Sequence, residues 1–275
     1  MKIPEFINLI ATYYATNKRQ FAWRDVENPY YVFVSEVMLQ QTQTHRVVDK
    51  FAQFIEAFPT IDDLVAAPLS AVLLVWQGLG YNRRGKFLHQ AAGIIVEKYN
   101  GVVPDDPALL VELPGIGAAT AASIAAFAYN KPTVFIETNI RAVYLHCFFP
   151  NQEKVPDAEL VPLVAQSLDH SNPRQWYYAL MDYGVMLKKT HQNPSRKSKH
   201  HTKQSRFEGS VRQVRGAVLR VMLTYPTPCV MHDLHTMVAA DIKRPVTAAV
   251  FESVIASLVA EGMIVQATDG LVALR

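Results

Sequence analysis

Two acidic residues keep apolar company in this chain: Glu36 in "YYVFVSEVMLQQTQT" (30–44) and Glu137 in "VFIETNIRAV" (134–143). Val32, Phe33, Val34, Val37, Met38 and Leu39 surround Glu36, so a helix there is apolar nearly all round. Burying an ionised carboxylate without partners is expensive, and desolvation raises its pKa. Glu36 is therefore either paired structurally or held protonated as an acid. Glu137 either caps the helix that follows or serves as a second carboxylate. Two carboxylates facing one cavity suit cleavage of a glycosidic bond. One protonates the leaving group and the other stabilises the oxocarbenium-like centre. A nucleobase on deoxyribose is such a leaving group.

Between them lies "ELPGIGAATAASIAAF" (112–127), a tight Leu-Pro-Gly-Ile-Gly turn before an alanine-rich run. One reading is a packing hairpin held by Leu113, Pro114 and Ile116. The other is a grip on a DNA backbone. Without a Cβ, Gly115 and Gly117 let backbone N–H groups approach a phosphate, and the next helix adds the positive end of its dipole.

These residues must be positioned by helices. Apolar periodicity dominates residues 4–187 and predicts helices over 4–17, 29–42, 44–57, 69–77, 84–99, 117–129, 138–148, 157–168 and 173–187. Asn28 reads as a cap with Pro29 at the first helical position. "FPTIDDL" and "VVPDDPALL" read as punctuation between helices. A second unit begins near Val211, with Val211, Val214, Val218 and Val221 on one helical face and Val250, Val254 and Leu258 on another. "MIVQATDGLVAL" follows as two short strands around an Asp-Gly turn. Three helices and a hairpin in that span suggest a winged-helix-like module, against the alternative of a plain α+β packing domain.

Between the units, residues 188–206 ("KKTHQNPSRKSKHHTKQSR") hold seven Lys/Arg and no acid, whereas the whole chain has 27 basic and 24 acidic residues. Such a block reads as a solvated linker or a polyanion contact, with Lys197, Lys199 and Lys203 the candidates for phosphate. The only cysteines are Cys147 and Cys229, which excludes a disulfide framework and suits a reducing cytoplasm. The N-terminal "MKIPEFINLIATYY" reads as a helix and not a signal peptide, and no apolar run approaches a membrane span.

Taken in order, "FAWRDVENPYYVFVSEVMLQQTQTHRVVDKF", "WQGLGYNRRGKFLHQAA", "LPGIGAATAASIAAFAY" and "ETNIRAV" resemble the adenine-specific mismatch DNA glycosylases (MutY type) of the helix-hairpin-helix, endonuclease III superfamily. The resemblance covers about residues 20–187. It implies that Glu36 is the general acid toward the adenine ring, that Glu137 stabilises the sugar cation, and that Asn139 assists. It further implies that Gln40 and Tyr81 enter the base stack when a nucleotide is flipped. Trp23 and Arg24 would line the base pocket beside Asn82, and Gly115, Gly117 and Thr120 would hold the phosphate, with a monovalent cation at the hairpin.

The chain departs from the family at several of these positions. Glu137 stands where the family has Asp, Thr138 replaces a usual Gly, and Asn82 replaces a second Tyr. Four closely spaced cysteines for an iron–sulfur cluster are missing after "MDYGVML", so no cluster is expected. His191, His200 and His201 read as solvated and not as zinc ligands. Ala119 occupies the position of the Schiff-base lysine of bifunctional relatives, so lyase activity is not expected.

The expected protein is mainly α. It has a two-lobed helix-hairpin-helix glycosylase core over 1–187, with 26–132 as one lobe and 1–25 plus 133–187 as the other. A basic linker (188–210) and a winged-helix-like domain (211–275) follow. The resemblance implies a monomeric, cytoplasmic, nucleoid-associated, monofunctional glycosylase acting on duplex DNA with a mispaired or damaged base, adenine first, with no metal and no membrane. Removal of thymine or uracil opposite guanine, or DNA binding without cleavage, are the alternative readings.

Overall fold

In the computed structural model, which describes residues 1–24, 26, 28–202, 205–267 and 270–275, the chain is built mainly of helices. They are α1 (Ile3–Asn17), α2 (Pro29–Leu39), α3 (Thr44–Ala57), α4 (Ile61–Ala66), α5 (Leu69–Trp76), α6 (Arg83–Tyr99) and α7 (Pro107–Leu110). Then come α8 (Ala118–Tyr129), α9 (Thr138–Phe148), α10 (Asp157–Ser167), α11 (Pro173–Thr190), α12 (Val211–Thr224), α13 (Met231–Asp241) and α14 (Ala248–Ala260). Among the described residues three strands, β1 (Cys229–Val230), β2 (Ile264–Gln266) and β3 (Leu271–Leu274), lie among and after the last helices. No helix among the described residues is long and apolar enough to cross a membrane.

The helix starts follow from local chemistry. Asn28 accepts the Tyr30 N–H and Pro29 opens α2, as the sequence indicates. The two stretches expected to be mere punctuation contain helices of their own. In "FPTIDDL", Thr60 and Asp63 cap each other reciprocally and start α4. In "VVPDDPALL", Asp106 accepts from the Ala108 N–H and Pro107 opens α7. Both helices are too short to show an apolar period.

The chain forms two compact units, Met1–Gln40 with Val102–Lys203, and Gln41–Gly101 with Gln204–Arg275. Neither the expected lobe limits at 25 and 133 nor the boundary at 187 coincides with this division. In the first unit α11 packs on α1, α8 and α9, while α2 lies on α8. The alanines at 121, 122, 125, 126 and 128 are all buried, and their small side chains let neighbouring helices approach closely, which draws α2 and α8 into this unit. The core is aromatic: Phe6 meets Tyr144 at 5.0 Å between ring centroids, and Phe127 stacks on Tyr178 at 4.7 Å.

Residues 188–202, expected to be the first part of a linker, are built onto this same unit. The Val155 N–H donates to the Lys197 carbonyl, the Lys199 N–H donates to the Val155 carbonyl, and Ser195 Oγ donates to the Thr138 carbonyl. The segment is basic and polar, but its backbone pairs with Val155 in the connection between α9 and α10 and its Ser195 side chain with α9, so it is held by hydrogen bonds where an apolar core is lacking.

The second unit joins α3–α6 to the C-terminal elements. Val214, Val218, Val221, Val254 and Leu258 are buried and Val250 is partly buried, as the two apolar faces require. Val211 differs: it opens α12 at 57% exposure, one turn beyond the core. The sheet has order β1-β3-β2 and is antiparallel throughout, with Cys229 opposite Val272 and Ile264 opposite Leu274. The hairpin is thus present as expected, and β1, only two residues long, adds a strand that alternation cannot reveal. The expected turn residue Asp269 lies outside the described residues.

Candidate active site

Glu36 sits on α2, a helix buried nearly all round at Val32, Phe33, Val34, Val37 and Met38. The residue as a whole is half-buried, but its carboxyl lies among packed atoms, and burial is the largest influence on its ionisation. That burial pushes its pKa from 4.5 up to about 7; the charge of Glu137 adds to the rise, and a Ser123 hydrogen bond and the Arg24 charge oppose it. Ser123 Oγ lies 2.6 Å from Glu36 Oε2 and 2.9 Å from the Thr120 carbonyl. A hydroxyl carries one proton, so Ser123 cannot donate fully to both. When Glu36 is protonated the conflict disappears: Glu36 donates to Ser123 and Ser123 donates to Thr120. The chain at this point has a carboxylic acid that gives up its proton near neutrality.

Glu137 has a different setting. As the cap of α9 its Oε1 accepts the N–H groups of Asn139 (2.8 Å) and Ile140 (2.9 Å). Its Oε2 accepts from Asn139 Nδ2 at 3.1 Å. Capping and a second-carboxylate role are therefore compatible in one residue, since the positive end of the helix favours a carboxylate there. Asn139 Oδ1 in turn accepts from Lys188 Nζ at 2.9 Å. α11 passes close beneath: a Cβ added to Gly184 would meet the Asn139 carbonyl oxygen at 2.5 Å. Only glycine permits this approach.

Arg24 and Trp23, expected to line a base pocket, are both buried, at 6% and 5% exposure. Arg24 forms a bidentate pair with Asp182 at 2.9 and 2.8 Å, and its guanidinium lies over the Tyr178 ring. Asp182 also accepts the Arg19 N–H and Nε. Trp23 stacks on Phe21 with ring centroids 4.9 Å apart. These contacts hold the 19–24 segment, and the Arg24 charge reaches Glu36 electrostatically.

At the hairpin, Gly115 adopts φ 77°, which favours glycine, and Gly117 caps α8 with open space where a Cβ would stand. Gln40 Nε2 donates to the Gly115 carbonyl (3.1 Å) and to Thr120 Oγ1 (3.2 Å), so three expected DNA-contacting residues are joined directly. The Leu113 and Gly115 carbonyls each accept a protein N–H. A carbonyl oxygen has two lone pairs, so these bonds neither build nor exclude a monovalent-cation site at the hairpin.

In the second unit Tyr81 is 41% exposed at φ 49°, a left-handed conformation unusual for a bulky residue. The Arg84 guanidinium lies over its ring, donating also to the Gly80 carbonyl (3.1 Å) and Thr42 Oγ1 (2.8 Å). Asn82 is the residue from which α6 starts. Of the basic-block lysines, Lys197 turns to the carbonyls of Phe149 and Pro150, Lys199 is exposed, and Lys203 lies outside the described residues.

Among the described residues no three His, Cys, Asp or Glu side chains gather as a metal site. Two cysteines, one on α9 and one on β1, cannot supply the four thiolates of an iron–sulfur cluster, and no chemistry is derived through one.

The profile of the HhH-GPD superfamily of base excision DNA repair proteins matches residues 34–162, which include the two carboxylates and the hairpin. An adenine DNA glycosylase of Mycolicibacterium smegmatis (strain ATCC 700084 / mc(2)155) is 30% identical over 96% of this chain and 94% of that protein. The chain belongs to the adenine DNA glycosylase family of the HhH-GPD superfamily. Another family relative, the adenine DNA glycosylase of Buchnera aphidicola subsp. Baizongia pistaciae (strain Bp), is 33% identical over 64% of this chain, which spans only 50% of that protein. The family fold is also seen in a thermostable thymine-DNA glycosylase structure, with TM-score 0.62 at 23% identity, over 70% of this chain and 90% of that one.

Ser123, Asp182, Gly184 and Lys188 were not singled out as site residues from the sequence. For Gly184 a signal exists in retrospect: a glycine inside a long helix, where it weakens helical propensity, marks a close approach.

Proposed function

We propose that this protein is a monofunctional adenine DNA glycosylase, which hydrolyses the N-glycosidic bond of a flipped, mispaired adenine in duplex DNA. The observation that carries this reading is the division of labour between two carboxyls: Glu36 with its pKa pushed up to about 7, and Glu137 held at a helix N-terminus. A purine leaves well only when its ring is protonated, and neutral Glu36 is the donor. As the bond lengthens, positive charge grows on the sugar, and Glu137 with Asn139 stabilises it until water adds at the anomeric carbon. Glu137 keeps the charge of the family's Asp. Gly115, Gly117 and Thr120 bind the DNA backbone at the start of α8, and Gln40 and Tyr81 fill the stack vacated by the flipped base. Trp23 and Arg24 support the base pocket, Asn82 follows the wedge residue Tyr81, and Lys199 and Lys203 contribute phosphate attraction.

Ala119 offers no amine, so the product is an intact abasic strand. No resident metal or cofactor takes part, and the protein acts as a cytoplasmic monomer on the nucleoid. The order helix, strand, helix, helix, hairpin over 211–275 supports reading that part as a winged-helix module, joined through about residues 203–210. The test is a single-turnover panel of duplexes carrying A, T, U, hypoxanthine and 8-oxoguanine mispairs. Release of adenine supports the proposal. Release of T or U opposite G with adenine untouched replaces it by the pyrimidine reading, and binding without release of any base leaves a non-catalytic DNA-binding protein.

A further inference from the structure

We infer that Lys188 is a positioning residue for the glycosidic-bond chemistry: its ammonium fixes the orientation of the Asn139 carboxamide, and through it the Glu137 carboxylate. This rests on reading Glu137 and Asn139 as the pair that stabilises the sugar cation.

Lys188 Nζ donates to Asn139 Oδ1 at 2.9 Å and to Thr138 Oγ1 at 3.1 Å. On the other side of the same amide, Asn139 Nδ2 donates to Glu137 Oε2 at 3.1 Å. An amide has one accepting and one donating end, so this chain of contacts runs in one direction only. Flipping the amide would set its NH₂ against the ammonium and its oxygen against the carboxylate. The lysine thus makes one of two near-isosteric amide orientations the stable one. With Lys188 in place, Oε2 of Glu137 is held by a side-chain N–H while Oε1 is held by two backbone N–H groups. Both oxygens of the cation-facing carboxylate then have fixed positions before substrate arrives, which is the arrangement that costs no reorganisation during reaction.

A lysine at this place carries a penalty. Burial lowers its pKa and Arg141 adds to the lowering, with only Glu137 opposing. An unbranched apolar side chain of similar length would avoid that penalty and still fill the space beside α9. Simple packing therefore does not account for a lysine here, whereas orientation of a polar amide does. The strap at 191–202 completes the bracing, since Ser195 Oγ donates to the Thr138 carbonyl on the same turn of α9. The neighbouring Lys189 is exposed and carries the same formal charge on the same helix turn, which makes it the control.

The experiment compares Lys188→Met, Lys188→Arg and Lys189→Met in the full chain. It reads single-turnover excision from an adenine-mispaired duplex, duplex Kd, urea midpoint, and the ¹⁵N side-chain amide resonances of Asn139, assigned by their loss in Asn139→Asp. Lys188→Met is expected to slow excision about 10–100-fold, the scale of a misplaced reacting group, with Kd and midpoint close to those of the parent. It should also shift the Asn139 resonances. Lys188→Arg should recover most of the rate, and Lys189→Met should match the parent in all four measurements. Parent-like excision in Lys188→Met, an unmoved Asn139 amide, or a rate that falls only in parallel with stability overturns the inference. A parent protein that releases no base, but whose Asn139 amide still responds to Lys188→Met, sinks the functional reading and leaves the contact standing.

Discussion

Replacing Glu36 by Gln separates what the carboxyl does for folding from what it does for chemistry. In the unfolded chain this carboxyl titrates near 4.5, and in the folded protein near 7. Between those values the unfolded chain releases the proton first, so folding loses stability as pH rises, by about 1.4 kcal/mol per pH unit. Below the lower value the residue contributes no pH dependence, and above the higher value the loss is complete, at up to about 3 kcal/mol. Gln cannot ionise, and its amide N–H can donate to Ser123 as the protonated carboxyl does, leaving Ser123 to donate to Thr120. Glu36→Gln should therefore equal the parent near pH 4.5 and exceed it at pH 8 by up to about 3 kcal/mol in urea unfolding, a large fraction of a typical domain's stability. Its excision rate should fall by roughly 10²–10⁴, the usual worth of a general acid, with DNA binding kept. A variant that is less stable than the parent at pH 8, or a stability difference that does not change with pH, would refute the buried-acid argument. Unchanged single-turnover excision would refute the catalytic one.

Gly184→Ala should push the Asn139 turn of α9, destabilising the fold by about 1–3 kcal/mol and slowing excision more than it weakens DNA binding; thermal melts and single-turnover rates on one preparation check both. Asp182→Asn leaves Arg24 buried without its counter-charge and should cost about 3–5 kcal/mol in urea unfolding, whereas a loss under 1 kcal/mol would mean that solvent reaches the pair. With alanine at position 119, borohydride should trap no covalent protein–DNA adduct and the product strand should break only after alkali or heat; a trapped adduct would identify another amine, Lys131 first, as nucleophile.

The parts of this site that could be read in the sequence are those whose message is local. A charge inside an all-apolar helical run announces Glu36, and Gly-x-Gly before an alanine-rich helix announces the hairpin. The partners that give these residues their chemistry are distant in the chain: Ser123 lies 87 residues from Glu36, and Asp182 lies 158 from Arg24. No periodicity or spacing rule connects such pairs. Arg24 and Trp23 illustrate the consequence, since matching a motif indicates that they belong near the site but not that they are buried. The basic block misleads for another reason. Composition reports how little apolar area a segment can bury, and is silent about backbone groups such as those of Val155 that can hold it in place. Short elements fail on length: α4, α7 and β1 offer too few residues for a period, though the Thr60–Asp63 cap and Asp106-Pro107 are visible as helix starts.

The central claim is that a neutral Glu36 protonates a departing adenine. The most direct measurement is the single-turnover rate of adenine release from one A-mispaired duplex across pH 5–9. The rate should hold at low pH and then fall about tenfold per pH unit above about 7, where Glu36 loses its proton. Glu36→Gln should show a low, flat profile on the same duplex. A parent rate that stays level or rises through pH 9 would contradict the account.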